Sequence, residues 1–194
     1  MSETSHLLHS AMELTKSLNE AVDENLPTRL AGIVKLHAAL AVGSAFIPIP
    51  GADMAAAAAN IWTMYVRINR EIHLPFADNM LKSVAAGVAT NLGSAAAVFL
   101  VAGSVLKFVP GLGSLGGAAV MATTIYAVTI GAGIVYMKAV AKLLGASHVA
   151  SFSEADLKSA TDEVLRDKEA IKSILKEGKA EYKHRQDGGA PPAQ

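Results

Sequence analysis

The stretch from Val84 to Met137 reads VAAGVATNLGSAAAVFLVAGSVLKFVPGLGSLGGAAVMATTIYAVTIGAGIVYM. It carries one charge, Lys107, beside Phe108-Val109-Pro110-Gly111-Leu112-Gly113. No charged residue occurs from Ser83 to Leu106, or from Phe108 to Met137. A bilayer-crossing helix takes about 20 apolar residues, and a helix over Ser83–Leu106 would reach about 36 Å. Proline cannot continue a helical hydrogen-bond ladder and glycine accepts turn dihedrals, so Pro110-Gly111 reads as the turn of an apolar helical hairpin. The first expectation is a hairpin seated in a membrane.

The whole chain has 194 residues, 52% hydrophobic and 18% charged, with a net charge of zero and no cysteine. The shortage of charge lies in the middle third. Neutral bulk charge and the lack of a basic patch interleaved with aromatics give no case for nucleic acid. The absence of cysteine excludes disulfides, thiolate catalysis and cysteine zinc sites. The opening Met1-Ser2-Glu3-Thr4 lacks the basic-then-apolar order of a signal peptide, so no cleaved leader is expected.

Outward from the hairpin, the pattern is helical throughout and no strand alternation appears, which makes the expected class all-α. Leu7, Ala11, Leu14, Leu18 and Val22 recur at helical spacing and predict an amphipathic helix over residues 5–26. Pro27 interrupts it and Thr28 is placed to cap the next helix. An apolar helix over 29–47 breaks at Pro48-Ile49-Pro50-Gly51, and Ala52 to Ile72 resumes as an alanine-rich helix with Asp53 in its first turn. Helices over about 77–107 and 113–144 follow, with Gly145 as a C-cap. Ser153 and Asp156 open a last amphipathic helix over 153–183 in the manner of a capping box. The domain reading is an N-terminal amphipathic helix (1–28), a double-hairpin apolar domain (29–145), a charged C-terminal helix (146–187) and a disordered tail (188–194).

Pro50-Gly51 recurs as Pro110-Gly111, each preceded by an apolar helix and followed by an alanine-rich one, by duplication or by convergence on one hairpin design. The architecture expected is two antiparallel helical hairpins with Pro-Gly turns, flanked by amphipathic helices. With both turns at one end, Arg29, Lys35, Arg67, Arg70, Lys82, Lys138 and Lys142 gather at the other. That is the positive-inside pattern, and it places both termini in the cytoplasm. The arms of the first hairpin, about 17 Å over His37–Ile47 and about 22 Å over Ala52–Val66, are short for a bilayer. Glycine and alanine dilute the second hairpin and leave small-residue faces suited to close helix packing and self-association; Gly113 and Gly117 form one GxxxG.

Motifs for chemistry fail on context. Gly111-Leu112-Gly113-Ser114-Leu115-Gly116 matches GxGxxG, yet a proline and a helix precede it. No Asp or Glu lies between Asp78 and Glu154 to hold a ribose. His6, His9 and Glu13 share a helical face at metal-ligand spacing, but such a trio in an N-terminal helix is ordinarily solvated, so no metal is expected. His37, His73, His148 and His184 have no partners at telling spacing. Asn60 reads as an interhelical hydrogen-bonding group. With no nucleophile–base–acid set, and a single acid and no histidine in the apolar core, no catalytic residue and no cofactor are expected.

The run Pro48, Pro50, Gly51 and Asp53, followed by Pro110, Gly111 and Gly113, resembles the YcjF-like, GTPase-associated proteins of bacterial membranes, a family of unknown function. The likeness covers about residues 30–144. It implies a helical membrane-associated module that accompanies a GTPase; with the uncharged hairpin and the one-sided basic residues, the expectation is a non-enzymatic anchor or adaptor of the bacterial cytoplasmic (inner) membrane. This chain has no GxxxxGK[ST], so the GTPase would act in trans. The alternative is a soluble helical protein that inserts into or remodels membranes, its terminal helices shielding the apolar hairpin until insertion. The partners expected are a lipid bilayer, a GTPase and further copies of the chain.

Overall fold

A long helix that is apolar on every side must be buried on every side, in protein or in lipid. The computed structural model describes residues 2–18, 25–46, 52–74, 76–96, 113–146 and 153–188, and they place such a helix at the centre. The elements are α1 (Glu3–Ser17), α2 (Leu26–Val42), a 3-10 turn (Gly43–Phe46), α3 (Ala52–Glu71), α4 (Asp78–Ala95), α5 (Gly113–Ala146), α6 (Glu154–Arg166) and α7 (Lys168–Gln186). The expected all-α class is the class observed.

Helix α5 packs against each of the other six helices. Every residue from Met121 to Met137 is buried. Its three threonines in this stretch do not strand their hydroxyls: Thr123, Thr124 and Thr129 donate to the carbonyls of Ala119, Val120 and Ile125 at 2.8–2.9 Å, within the helix itself. The stretches 1–28, 29–145 and 146–187 contribute to one hydrophobic core, with Leu7 and Leu14 from α1, Val34 from α2, Tyr65 from α3 and Leu175 from α7 meeting α5 residues.

Pair contacts give the directions. Arg29 meets Glu71 at 2.6 Å and His37 meets Asn60 at 3.0 Å, so α2 and α3 are antiparallel. Asn69 Nδ2 donates to the Phe76 carbonyl at 3.5 Å, while Lys82, further on, lies over the ring of Trp62, further back, so α3 and α4 are antiparallel too. Their turn closes on His73, at φ 55°. Leu74 N–H bonds to the Asn69 carbonyl and His73 N–H to the Arg70 carbonyl, the Schellman pattern with histidine in the place usually held by glycine.

Close approach fixes two crossings. A Cβ on Gly133 would lie 2.6 Å from Val34 Cγ1, so α2 reaches α5 where α5 has no side chain. A Cβ on Gly178 would lie 3.1 Å from the Ala127 backbone, which seats α7 in the same way. Val34 is β-branched and stiff, so it cannot swing clear. Gly133→Ala should therefore lower stability by about 1–2 kcal/mol, although alanine is the better helix former. In a denaturant-unfolding double-mutant cycle with Val34→Ala, part of that loss should return; strictly additive losses would mean Val34 is not the obstacle.

Several boundaries correct the sequence reading. The helix expected over 5–26 ends at Ser17. Thr28 is not a cap: α2 begins at Leu26, with Pro27 in its first turn, where a missing N–H costs nothing. The helix expected to 47 stops at Val42 and tightens into the 3-10 turn. The helix expected over 77–107 ends at Ala95 within the described residues, and Gly145 lies inside α5 rather than capping it. The helix expected over 153–183 is two. Asp167 (φ −75°, ψ 81°) ends α6, and its side chain accepts from Ala170 N–H at 3.0 Å to start α7. The capping box at Ser153 and Asp156 is present. Lys142 pairs with Glu163, Gly131 faces Leu175, and Ala127 faces Gly178, so α6 and α7 follow one antiparallel track along α5.

Candidate functional site

Two features stand out: the covered apolar helix and a polar cluster where its cover closes. Among the described residues one helical segment, Gly117–Gly145, is long and apolar enough to cross a membrane, and 89% of its most apolar window is buried inside the molecule.

The cover begins with α1. Ser2 accepts from Ser5 N–H at 3.2 Å and sets Glu3 in the first turn. Glu3, Leu7, Ala11 and Leu14 lie along one helical face, so seating the leucines on α5 carries the carboxyl inside. Glu3 is 2% exposed. The Tyr126 hydroxyl of α5 donates to its Oε1 at 3.3 Å, and Oε2 has no hydrogen-bond partner. Helix α7 presents Glu181 and Arg185, which pair at 3.3 Å, with Arg185 6.0 Å from the centre of the Tyr126 ring. Tyr182 packs on Tyr126 at 5.0 Å. Lys35 of α2 donates to Thr4 Oγ1 at 3.0 Å, and His6 Nε2 stands 3.2 Å from Glu177 Oε2. Burial, followed by Glu181, raises the Glu3 carboxyl against the opposing pull of Arg185, Lys35 and the Tyr126 hydroxyl, to about 7. Four helices thus meet around a carboxyl that binds a proton near neutrality.

Glu3 is a second acid in a core expected to hold a single one, Asp53, and no histidine. Its signal was in the sequence, because Glu3 lies four residues before Leu7 on the apolar stripe. His37 is also buried, and it has a partner after all. Its Nδ1 is 3.0 Å from Asn60 Oδ1, while Asn60 Nδ2 donates to the His37 carbonyl at 2.8 Å. The interhelical role expected of Asn60 is the one found.

The trio His6, His9 and Glu13 does not converge. His9 pairs with Glu13 at 3.2 Å on the exposed side of α1, while His6 turns to Glu177. Among the described residues no group of three or more potential metal ligands forms. Of the turn motif, Pro48, Pro50, Gly51, Pro110 and Gly111 lie outside the described residues, as does Lys107. Asp53 falls in the first turn of α3 and Gly113 opens α5. Helix α2 leaves an apolar strip exposed, with Gly32, Leu36, Ala39 and Leu40 facing outward.

No family model, no curated protein and no solved structure matches this chain.

Proposed function

We propose that this protein is a non-enzymatic, membrane-active helical bundle. It carries its long apolar helix α5 under a removable cover of amphipathic helices and releases it into a bilayer. The observation that carries this reading is the pairing of a bilayer-length apolar helix with its near-complete burial under α1, α2, α6 and α7. The cover is held in part by polar contacts along its seams: the Glu3 cluster, the His6–Glu177 contact and the exposed Lys142–Glu163 pair. The bilayer is then the first partner, and the bacterial cytoplasmic membrane, with both termini on the cytoplasmic side, its site of action. The outward strip Gly32–Leu40 of α2 supports self-association of the inserted form.

A second reading is a standing membrane anchor or adaptor for a GTPase acting in trans. The resemblance of the two Pro-Gly runs to the YcjF-like proteins supports it, as do the basic residues Arg29, Arg67, Arg70 and Lys142 collected toward one end of the chain's helices.

One experiment separates the two. The native chain has no cysteine, so Ala127→Cys with Gly178→Cys can tie α7 to α5 through a single disulfide; the two Cβ atoms would start 3.1 Å apart, so α7 must ease outward by about half an ångström to reach the bond's usual spacing. The wild type, purified without detergent, should release dye from anionic vesicles; the oxidised double variant should not, and reduction should restore release. Equal release by the locked form would refute a cover that opens. A wild type that resists carbonate extraction and cannot be purified without detergent would favour the standing anchor.

A further inference from the structure

Helix α7 sorts its charges by face. Lys168, Lys172, Lys176, Lys179 and Lys183 are all of its lysines, and at about 100° per residue they fall within an arc of about 80°. Its core face carries Ile171, Ile174, Leu175 and Gly178. On the far side of that core face, toward α1, lie Glu177 and Glu181. The lysine row borders a groove of about 790 Å³ between α7 and α4, whose floor is built from Ala86, Gly87, Thr90, Ser94 and Ala95 together with Ile171. A second hollow of about 350 Å³ shares Ala95 and Lys172 and continues along Lys176, Lys179 and Lys183, with Leu175 and Ala180 at its base.

We infer that this lysine-edged groove is the surface by which the protein docks on a bilayer of anionic phospholipids. Ammonium groups would meet the headgroup phosphates, and the small-residue floor would take the first methylenes of an acyl chain. The inference rests on the membrane-active reading above and names the face that makes first contact.

The chemistry favours a lipid surface over a small anion. The cations form a row about 23 Å long rather than a converging nest, the length of a helix from residue 168 to 183. Lysine offers a mobile point charge rather than the fixed fork that recognises one phosphate, and the floor beside the cations is of small side chains, its Thr90 and Ser94 hydroxyls bonded back to their own helix and Asn91 its one amide. The acids on this side are weak competitors. Glu169 pairs with Lys172 at 2.8 Å, but both side chains are more than two-thirds exposed, and Asp187 lies beyond the row.

The test is flotation of the full-length protein with two kinds of vesicle: phosphatidylcholine alone, and phosphatidylcholine with phosphatidylglycerol in equal parts. Each lysine near an anionic surface is worth about fivefold in partitioning. Lys172→Gln, Lys176→Gln and Lys183→Gln together should weaken binding to the anionic vesicles about a hundredfold. Lys16→Gln, Arg67→Gln and Lys158→Gln remove the same charge elsewhere and should weaken it by less than about tenfold. Helical circular dichroism and the thermal midpoint should be unchanged in both, since all these side chains sit on outer helix faces. Equal losses in the two triple variants would overturn the inference, as would equal wild-type binding to neutral vesicles. Competition by inorganic polyphosphate that matches the vesicles at equal phosphate would point to a soluble anion and overturn it too. If the α7 variant binds normally and still releases dye, this face is wrong while the membrane-active reading stands; if the wild type binds no vesicle, both fall.

Discussion

Glu3→Gln should stabilise the folded protein at pH 8 by about 2–3 kcal/mol and flatten its stability between pH 4.5 and 7. In the unfolded chain the Glu3 carboxyl ionises near its ordinary value of 4.5; in the fold it holds its proton to about 7. Between those values the folded state binds more protons than the unfolded, so stability falls as pH rises. The contribution is fully present below about 4.5, is lost through about 7, and stays lost above. A difference of this size corresponds to about 3 kcal/mol. The glutamine gives back part of the gain, because it forgoes the charge that the first turn of α1 favours. It keeps the shape and can still accept from Tyr126. Urea unfolding of wild type and variant across this pH range reads the effect directly. Parallel curves, offset by a constant, would mean that Glu3 ionises outside the core and α1 is not sealed by it. For the proposed function the sign matters. Alkaline conditions charge the carboxyl against Glu181 and loosen α1, so vesicle release should rise above pH 7 in the wild type and not in Glu3→Gln.

Tyr65→Ala should cost about 3–5 kcal/mol, the range for truncating a large buried aromatic. Tyr65 is fully buried, its ring stacks on Tyr136 at 4.2 Å between centroids, and its hydroxyl donates to the Ala132 carbonyl at 2.9 Å. Truncation opens a cavity between α3 and α5 and leaves a carbonyl without its side-chain donor. A thermal midpoint lower by about 10 °C is expected for a chain of this size. Tyr65→Phe keeps the stack and loses only the hydrogen bond, so about 1 kcal/mol should go. If the two variants lost equally, the hydroxyl rather than the ring would be what ties α3 to the central helix.

Local chemistry made much of the helical framework legible. Periodic leucines announced α1, Asp53 and Ser153 announced helix starts, and the charge-free run announced α5. What local signals left ambiguous was where one helix stops and the next begins. Asp167 has the N-cap chemistry that starts α7, but it sits inside an unbroken amphipathic stripe, and the stripe dominated the reading. Pro27 looked like a breaker because the first turn of a helix, where proline is tolerated, looks in sequence much like its interior. Glu3 and His37 were missed as core groups because polar residues carry no mark of burial. Burial depends on whether Tyr126 and Asn60, far along the chain, arrive to meet them.

The run around Pro110-Gly111 set the main question. By itself the sequence determined that the chain is all-helical and that one segment is apolar on every side, since both follow from the periodicity and from the absence of charge. What lies around that segment was a matter for the tertiary structure alone. A helix with no polar face is satisfied equally by lipid and by other helices, and its own residues do not distinguish them. The partners do. Val34 fits against Gly133, Gly178 lies on Ala127, and Glu3 is drawn in beside Tyr126, so within the fold α5 is surrounded by its own chain.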